Sequence, residues 1–219
     1  MADVRDSYRP FKTYTIPRKE RRPSEDCQYT LPVDSREAKE IEHAIRRLTW
    51  DTNDLDRAVS ISHVKKVDNP NLEREYHEKR ATLREEGRSP KELTQQLAFC
   101  VETEDSRVKE ICRMGLECDG VDHTLGDGVM GVTVWRCPDL CLRALSWPTS
   151  GAAYLLVFKI VKGRVKSVTP KLYPETPNLE PTPNFDCHMA RNTASSAQLQ
   201  TSCEALSIIS MNMMTKDCP

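Results

Sequence analysis

Nine cysteines and five histidines are the first source of possible chemistry in this chain. Cys112, Cys118, His123, Cys137 and Cys141 could supply the four ligands of a zinc site, and the last two form a C-x3-C pair. Structural zinc sites usually present tight C-x2-4-C pairs on turns. Cys112 instead falls on the apolar face of an expected helix, and Cys137 and Cys141 flank a helix start. That is the setting of buried free thiols, so no metal is expected. Cys187-His188 has the residue types of a nucleophile and its base. Neighbours on a strand point to opposite faces, so a structural role fits better, with His188 bonding to backbone in a tight corner. Gly126, Gly128 and Gly131 have the spacing of a dinucleotide loop, yet they lead into an expected strand and not into a helix. No GK[ST] loop, HExxH or GxSxG motif occurs, and no cofactor is expected.

The elements that must carry these residues are legible in part. Residues 1–33 read as a flexible arm, made basic by Arg5, Arg9, Lys12, Arg18, Lys19, Arg21 and Arg22 and kept extended by four prolines. Lys19–Arg22 could be a nuclear import or acidic-partner patch, although a solvated tail is the simpler reading. A helix is predicted over 35–48, with Asp34 and Glu37 as its capping box and Ala38, Ile41, Ala44, Ile45 and Leu48 on one face. A second helix starts at Asn69-Pro70, buries Leu72, Tyr76 and Leu83, and stops at Gly87. Ser89-Pro90-Lys91-Glu92 opens a third, short one.

The pattern then changes. Strands are predicted at Leu97–Val101, Gly131–Trp135, Tyr154–Val161, Arg164–Val168 and Ala205–Ile209. Helices are predicted at Ser106–Met114, closed by Gly115, and at Pro138–Leu145. Five prolines make 170–184 a stiff loop. The order gives an α+β domain over 34–210, with 211–219 as an unstructured tail. A last strand that stops near the chain end would leave an open edge, so a domain truncated at its C-terminus is expected.

The totals narrow the function classes. A length of 219 residues allows one domain with tails. A net charge of −1 argues against a generally nucleic-acid-binding surface, leaving the basic arm as the place for a weak one. No apolar run has membrane length, and the charged N-terminus lacks the core of a secretory signal. An odd cysteine count without a signal points to a reducing compartment, cytosol or nucleus.

A set of uncommon strings carries a resemblance. Asn71–Glu86 with Gly87-Arg88, Lys109–Leu116, Leu125-Gly126-Asp127, Phe158–Lys166 and Pro181–Arg191 occur in the order found in the conserved N-terminal domain of the TASOR and testis-expressed protein 15 family. The resemblance covers roughly residues 66–203. Lys12–Arg18 and Pro183–Asn192 look closer to testis-expressed protein 15. The family domain resembles the catalytic fold of poly(ADP-ribose) polymerases (PARPs), so an ADP-ribosyltransferase-like domain preceded by helices is implied.

In that fold a His-Gly pair grips the nicotinamide end of NAD, a tyrosine on a later strand stacks on it, and a late glutamate orients the ribose. By the resemblance, Cys100 and Val101 stand where His and Gly belong, Thr133 stands where the tyrosine belongs, and Glu204 is the candidate for the glutamate. Losing the donor and the aromatic wall removes on the order of 2–3 kcal/mol per anchor. The resemblance therefore implies a pseudoenzyme with no catalytic or cofactor-binding residues, in which Phe185, Asp186, Cys187 and His188 form a structural motif. It further implies a scaffold with Piwi-pathway or chromatin-silencing protein partners, in nucleus and cytoplasm. The roles implied are piRNA-directed DNA methylation of transposons and meiotic double-strand-break repair in spermatogenesis, or, on the TASOR side, heterochromatin silencing through histone methylation.

Overall fold

The computed structural model describes residues 27–49, 59–117, 131–144, 151–169, 182–190, 198–201 and 204–213. In chain order the elements are β1 Gln28–Leu31, α1 Arg36–Leu48, β2 Val59–Val67, α2 Pro70–Glu85, β3 Gln95–Glu102, α3 Asp105–Met114, β4 Val132–Trp135, α4 Pro138–Ala144, β5 Gly151–Val161, β6 Val165–Val168, β7 Cys187–Ala190, β8 Gln198–Thr201 and β9 Glu204–Met213. Strands and helices interleave from the start, so the expected order of helices first does not hold, while the α+β class does.

Among the described residues nine strands join one sheet in the order β1-β2-β9-β5-β3-β4-β8-β7-β6. Every pair is antiparallel except β6 with β7. The sheet cannot lie flat. On a flat sheet β5 and β6 would stand five spacings apart, about 24 Å. The link between them, Lys162, Gly163 and Arg164, spans at most about 14 Å. The fold line is the β3–β4 junction, held by the single rung Phe99–Trp135. The two half-sheets close on a core of Ala98, Leu156, Phe158 and Ile160 from one side and Val132, Val134 and Cys187 from the other, joined by Val108, Ile111 and Cys112 of α3.

The reverse face of the larger half-sheet is covered as well. Phe99, Leu155 and Val157 pack there against Ala38 and Ile45 of α1 and Cys141 and Leu142 of α4. Burial on both faces explains why β5 reads as a near-continuous apolar run and not as an alternating one. α2 packs Tyr76 and Leu83 on Leu93 and Val161.

Several sequence expectations are corrected. The N-cap of α1 is Ser35, whose hydroxyl accepts from Ala38 N at 3.2 Å, while Asp34 is fully exposed beside Lys39. Residues 28–31, assigned to the flexible arm, form β1, because Leu31 is buried and pairs opposite Val64 of β2; residues 1–26 lie outside the described residues. Ser89–Glu92 forms its capping-box bonds, but 90–93 is a turn and not a helix. The last strand is longer than expected: β9 runs to Met213 between β2 and β5, so it has partners on both sides and leaves no open edge there. Met211–Met213 therefore belong to the sheet and not to the tail, and 214–219 lie outside the described residues.

Asn69 ties two elements together. Its side-chain oxygen caps α2 by accepting from Asn71 N and Leu72 N, and its Nδ2 donates to the carbonyls of Cys112 and Arg113 at 2.9 and 3.0 Å. Those carbonyls are end groups of α3 that helix geometry leaves unpaired. Asn69→Ala is expected to cost about 2 kcal/mol in urea denaturation, more than a cap alone. Asn69→Ser keeps a capping oxygen and loses the α3 contacts, so its cost should fall between wild type and the alanine variant.

Candidate functional site

Three of the sequence-predicted site residues, Cys100, Val101 and Thr133, lie at the β3–β4 junction. Antiparallel register through the Phe99–Trp135 rung carries Val101 to the level of Thr133, beyond the last paired residues. The β3–β4 ladder has no rung at this level, and this opening in the pairing is the candidate site. Cys100 is half-buried, lies opposite Leu156 of β5, and packs against the core under α3. Val101 is half-buried on the other face, against the core under α1 and α4. The Thr133 hydroxyl is buried with no hydrogen-bond partner among the described residues.

The surroundings of this opening carry one polar cluster. Tyr154 Oη donates to Asp105 Oδ1 at 3.1 Å, and Lys109 Nζ stands 2.6 Å from Asp105 Oδ2. Burial first, then the neighbouring carboxylate, raises the Tyr154 phenol above its ordinary value. The Lys109 ammonium, then the phenol, holds the Asp105 carboxyl below the usual carboxylate range. The cluster fastens the first turn of α3 to β5.

Glu204 is not brought to this opening by register. It pairs beside Lys159, which is beside Leu97, whereas the β9 residue at the level of Val101 is Ile209. The cysteines of the rejected zinc set are likewise separated. Cys112 is buried on one face of the larger half-sheet and Cys141 on the other. Burial pushes the Cys112 thiol up to about 12, which leaves it unreactive. Cys118, His123, Gly126 and Gly128 lie outside the described residues.

The structural motif at 185–188 has a clearer geometry. Asp186 accepts from Arg88 Nε and Nη2 at 2.6 and 2.9 Å and from Arg164 N at 2.7 Å. The Arg88 and Asp186 side chains are only 10% and 15% exposed. Gly163 makes this approach possible: its φ is +62°, and a Cβ there would overlap the Asp186 carboxylate. Arg164 Nε in turn reaches Glu92 Oε1 at 3.0 Å, and Glu92 Oε2 accepts from Ser89 N at 2.7 Å. The Ser89 amide, then Arg164, draws the Glu92 carboxyl down to about 2. This clamp joins the end of α2, the β5–β6 link and the start of β7.

Its neighbours are structural too. Cys187 and His188 are both buried, and the His188 ring meets Thr182 Oγ1 at 3.0 Å. Lys166 stands over the Phe185 ring at 5.2 Å. Sequence reading missed Arg88 and Arg164 as partners of Asp186, and Glu92 as a partner of Arg164. The available signal was that Gly87-Arg88, Gly163-Arg164 and Phe185-Asp186 all lie in the strings that carry the resemblance.

Comparison with known proteins assigns the family. Residues 82–206 match the model of a family described as a protein of unknown function, DUF3715. The chain belongs to the DUF3715 family. Its β3–β4 junction, the β5–β6 link and the Asp186 motif all fall within the matched span, as does Arg88. The chain is 30% identical over 199 residues to protein TASOR of Mus musculus, covering 85% of this chain and 12% of that one. It is 35% identical over 134 residues to protein TASOR of Homo sapiens, covering 58% of this chain and 8% of that one. It thus spans about an eighth or less of these relatives' length. Among solved structures, the crystal structure of the TASOR pseudo-PARP domain matches with a TM-score of 0.76 and 25% identity, over 86% of this chain and 99% of that one. The fold of this DUF3715 chain is therefore PARP-like, as the resemblance implied.

Proposed function

We propose that the chain is a catalytically inactive PARP-like module that works as a protein-interaction scaffold in a TASOR-like silencing assembly. The observation that carries this reading is the match to the TASOR pseudo-PARP domain across nearly all of that domain. The residues of the candidate site support it. If Cys100 and Val101 occupy the nicotinamide-gripping positions and Thr133 the stacking position, the site offers NAD neither an imidazole donor nor an aromatic face. Cys100 and Val101 are instead committed to packing on the two faces of the sheet.

The finer assignment rests on Lys12–Arg18 and Pro183–Asn192, which look closer to testis-expressed protein 15. On that basis the scaffold serves germline transposon silencing through piRNA-directed DNA methylation, and meiotic double-strand-break repair, in nucleus and cytoplasm. Its partners are then Piwi-pathway or chromatin-silencing proteins. Relation to TASOR favours heterochromatin silencing as the alternative.

The test is a thermal melt of the chain with and without a non-hydrolysable NAD analogue at millimolar concentration, beside an active PARP catalytic domain. The expected result is a cooperative transition that the analogue leaves in place, while the active domain shifts upward. Ligand at 100 times its Kd adds about 2.7 kcal/mol to the native state, so a comparable rise for this chain would overturn the inactive reading.

A further inference from the structure

Ser89 sits at the outer end of the clamp, and neither the PARP-like fold nor the scaffold reading uses its hydroxyl. We propose that Ser89 is a phosphorylation site for a proline-directed protein kinase, and that the phosphate takes Arg164 away from Glu92. Ser89, Pro90 and Lys91 are all exposed. Pro90 removes the amide at the following position and holds Ser89 out of helical geometry, the extended form in which a kinase receives a Ser-Pro pair. The hydroxyl is weakly engaged, accepting from Glu92 N at 3.4 Å. Thr182-Pro183 makes an instructive contrast. The Thr182 hydroxyl is held 3.0 Å from the His188 ring in a half-buried corner, so it is withdrawn from such chemistry.

The surroundings determine what the phosphate would do. Glu92 Oε2 is 2.7 Å from Ser89 N, and Glu92 Oε1 is 3.0 Å from Arg164 Nε. A phosphate on Ser89 Oγ therefore stands beside the Glu92 carboxylate and near the guanidinium that this carboxylate holds. Its charge of about −1.5 to −2 repels Glu92, and guanidinium pairs with phosphate in a strong two-pronged geometry. Arg88 stays where it is, because Asp186 binds it through two hydrogen bonds in a mostly buried setting. The result is a changed outer clamp over an unchanged inner one. In the transfer step the Ser89 oxygen attacks the γ-phosphorus of ATP. The new O–P bond forms as the bond to ADP breaks, and the hydroxyl proton passes to the kinase's base.

The experiment treats the full 219-residue chain with a recombinant proline-directed kinase and ATP, maps the product by mass spectrometry, and follows the phosphate by 31P NMR titration. Phosphate is expected at Ser89 and absent from that position in Ser89→Asn, a variant that keeps a capping acceptor and removes the hydroxyl. The second phosphate pKa is expected below its ordinary value of about 6 and restored in Arg164→Gln. A cooperative melt of each variant confirms that it is folded, and Arg164→Lys serves as a charge-keeping substitute if Arg164→Gln is not; it should keep part of the shift. Phosphate found only at Thr169, Thr176 or Thr182 overturns the site. A Ser89 phosphate whose titration ignores Arg164→Gln overturns the rearrangement.

Discussion

Asp186→Ala is expected to lower the unfolding free energy by about 3–5 kcal/mol, the cost of leaving a buried charge without its partner. The carboxylate accepts two bonds from Arg88 and one from the Arg164 amide, and with it gone all three donors lose their acceptor. Arg88, at 10% exposure, is then left with Glu86, 3.7 Å away, and the more loosely placed Glu92 as carboxylates that act on it. Asp186→Asn keeps the shape and part of the hydrogen bonding, so it should cost less. Urea denaturation of Arg88→Ala, Asp186→Ala and the double variant checks the argument. The double variant should cost well under the sum of the singles, because removing both partners leaves no uncompensated charge. Additive losses would mean that the two groups act separately. Gly163→Ala should be comparably damaging, since the new Cβ would come within 2.7 Å of the Asp186 Cβ as well as meeting the carboxylate, at a φ that disfavours side chains.

The second large effect is expected in the core between the half-sheets. Phe158 is fully buried and stands opposite Ala98 across the β3–β5 ladder, so a large ring fills space that its neighbour leaves open. Phe158→Ala should cost about 3–5 kcal/mol through lost burial and the cavity left behind. That corresponds to a drop in Tm on the order of 10 °C for a chain of this size. Tyr29→Ala, on the outer strand β1 where the side chain is 44% exposed, is the control, and its cost should be a small fraction of that. Calorimetry of the two variants separates the cases. If the half-sheets packed loosely, the Phe158 cavity would collapse and the two costs would approach each other.

Local sequence determined much of the scaffold. α2 could be read from Asn69-Pro70 at one end and Gly87 at the other, because a cap, a fixed φ and a left-handed residue act within a few positions. α3 and the central strands β3, β4 and β5 were equally readable from their apolar faces and runs. β1, β2, β7 and β8 were not. VSISHVKKV and QLQT place polar residues among the apolar ones, and their strand identity comes from the neighbours with which they pair. The full length of β9 depended in the same way on β2 and β5 lying on either side of it.

The positions Cys100, Val101 and Thr133 were legible as a set through their resemblance to a known fold. That Val101 and Thr133 share a level past the last rung became visible only with the β3–β4 register. The clamp shows the limit most plainly. Arg88 and Asp186 are 98 positions apart, and Arg164 and Asp186 are 22 apart. Each stands in an uncommon string, but charge pairing carries no periodicity that a sequence could display. The folding of the sheet at Phe99–Trp135 is what brings the end of α2, the β5–β6 link and the start of β7 to one place, because a three-residue link cannot bridge a flat sheet.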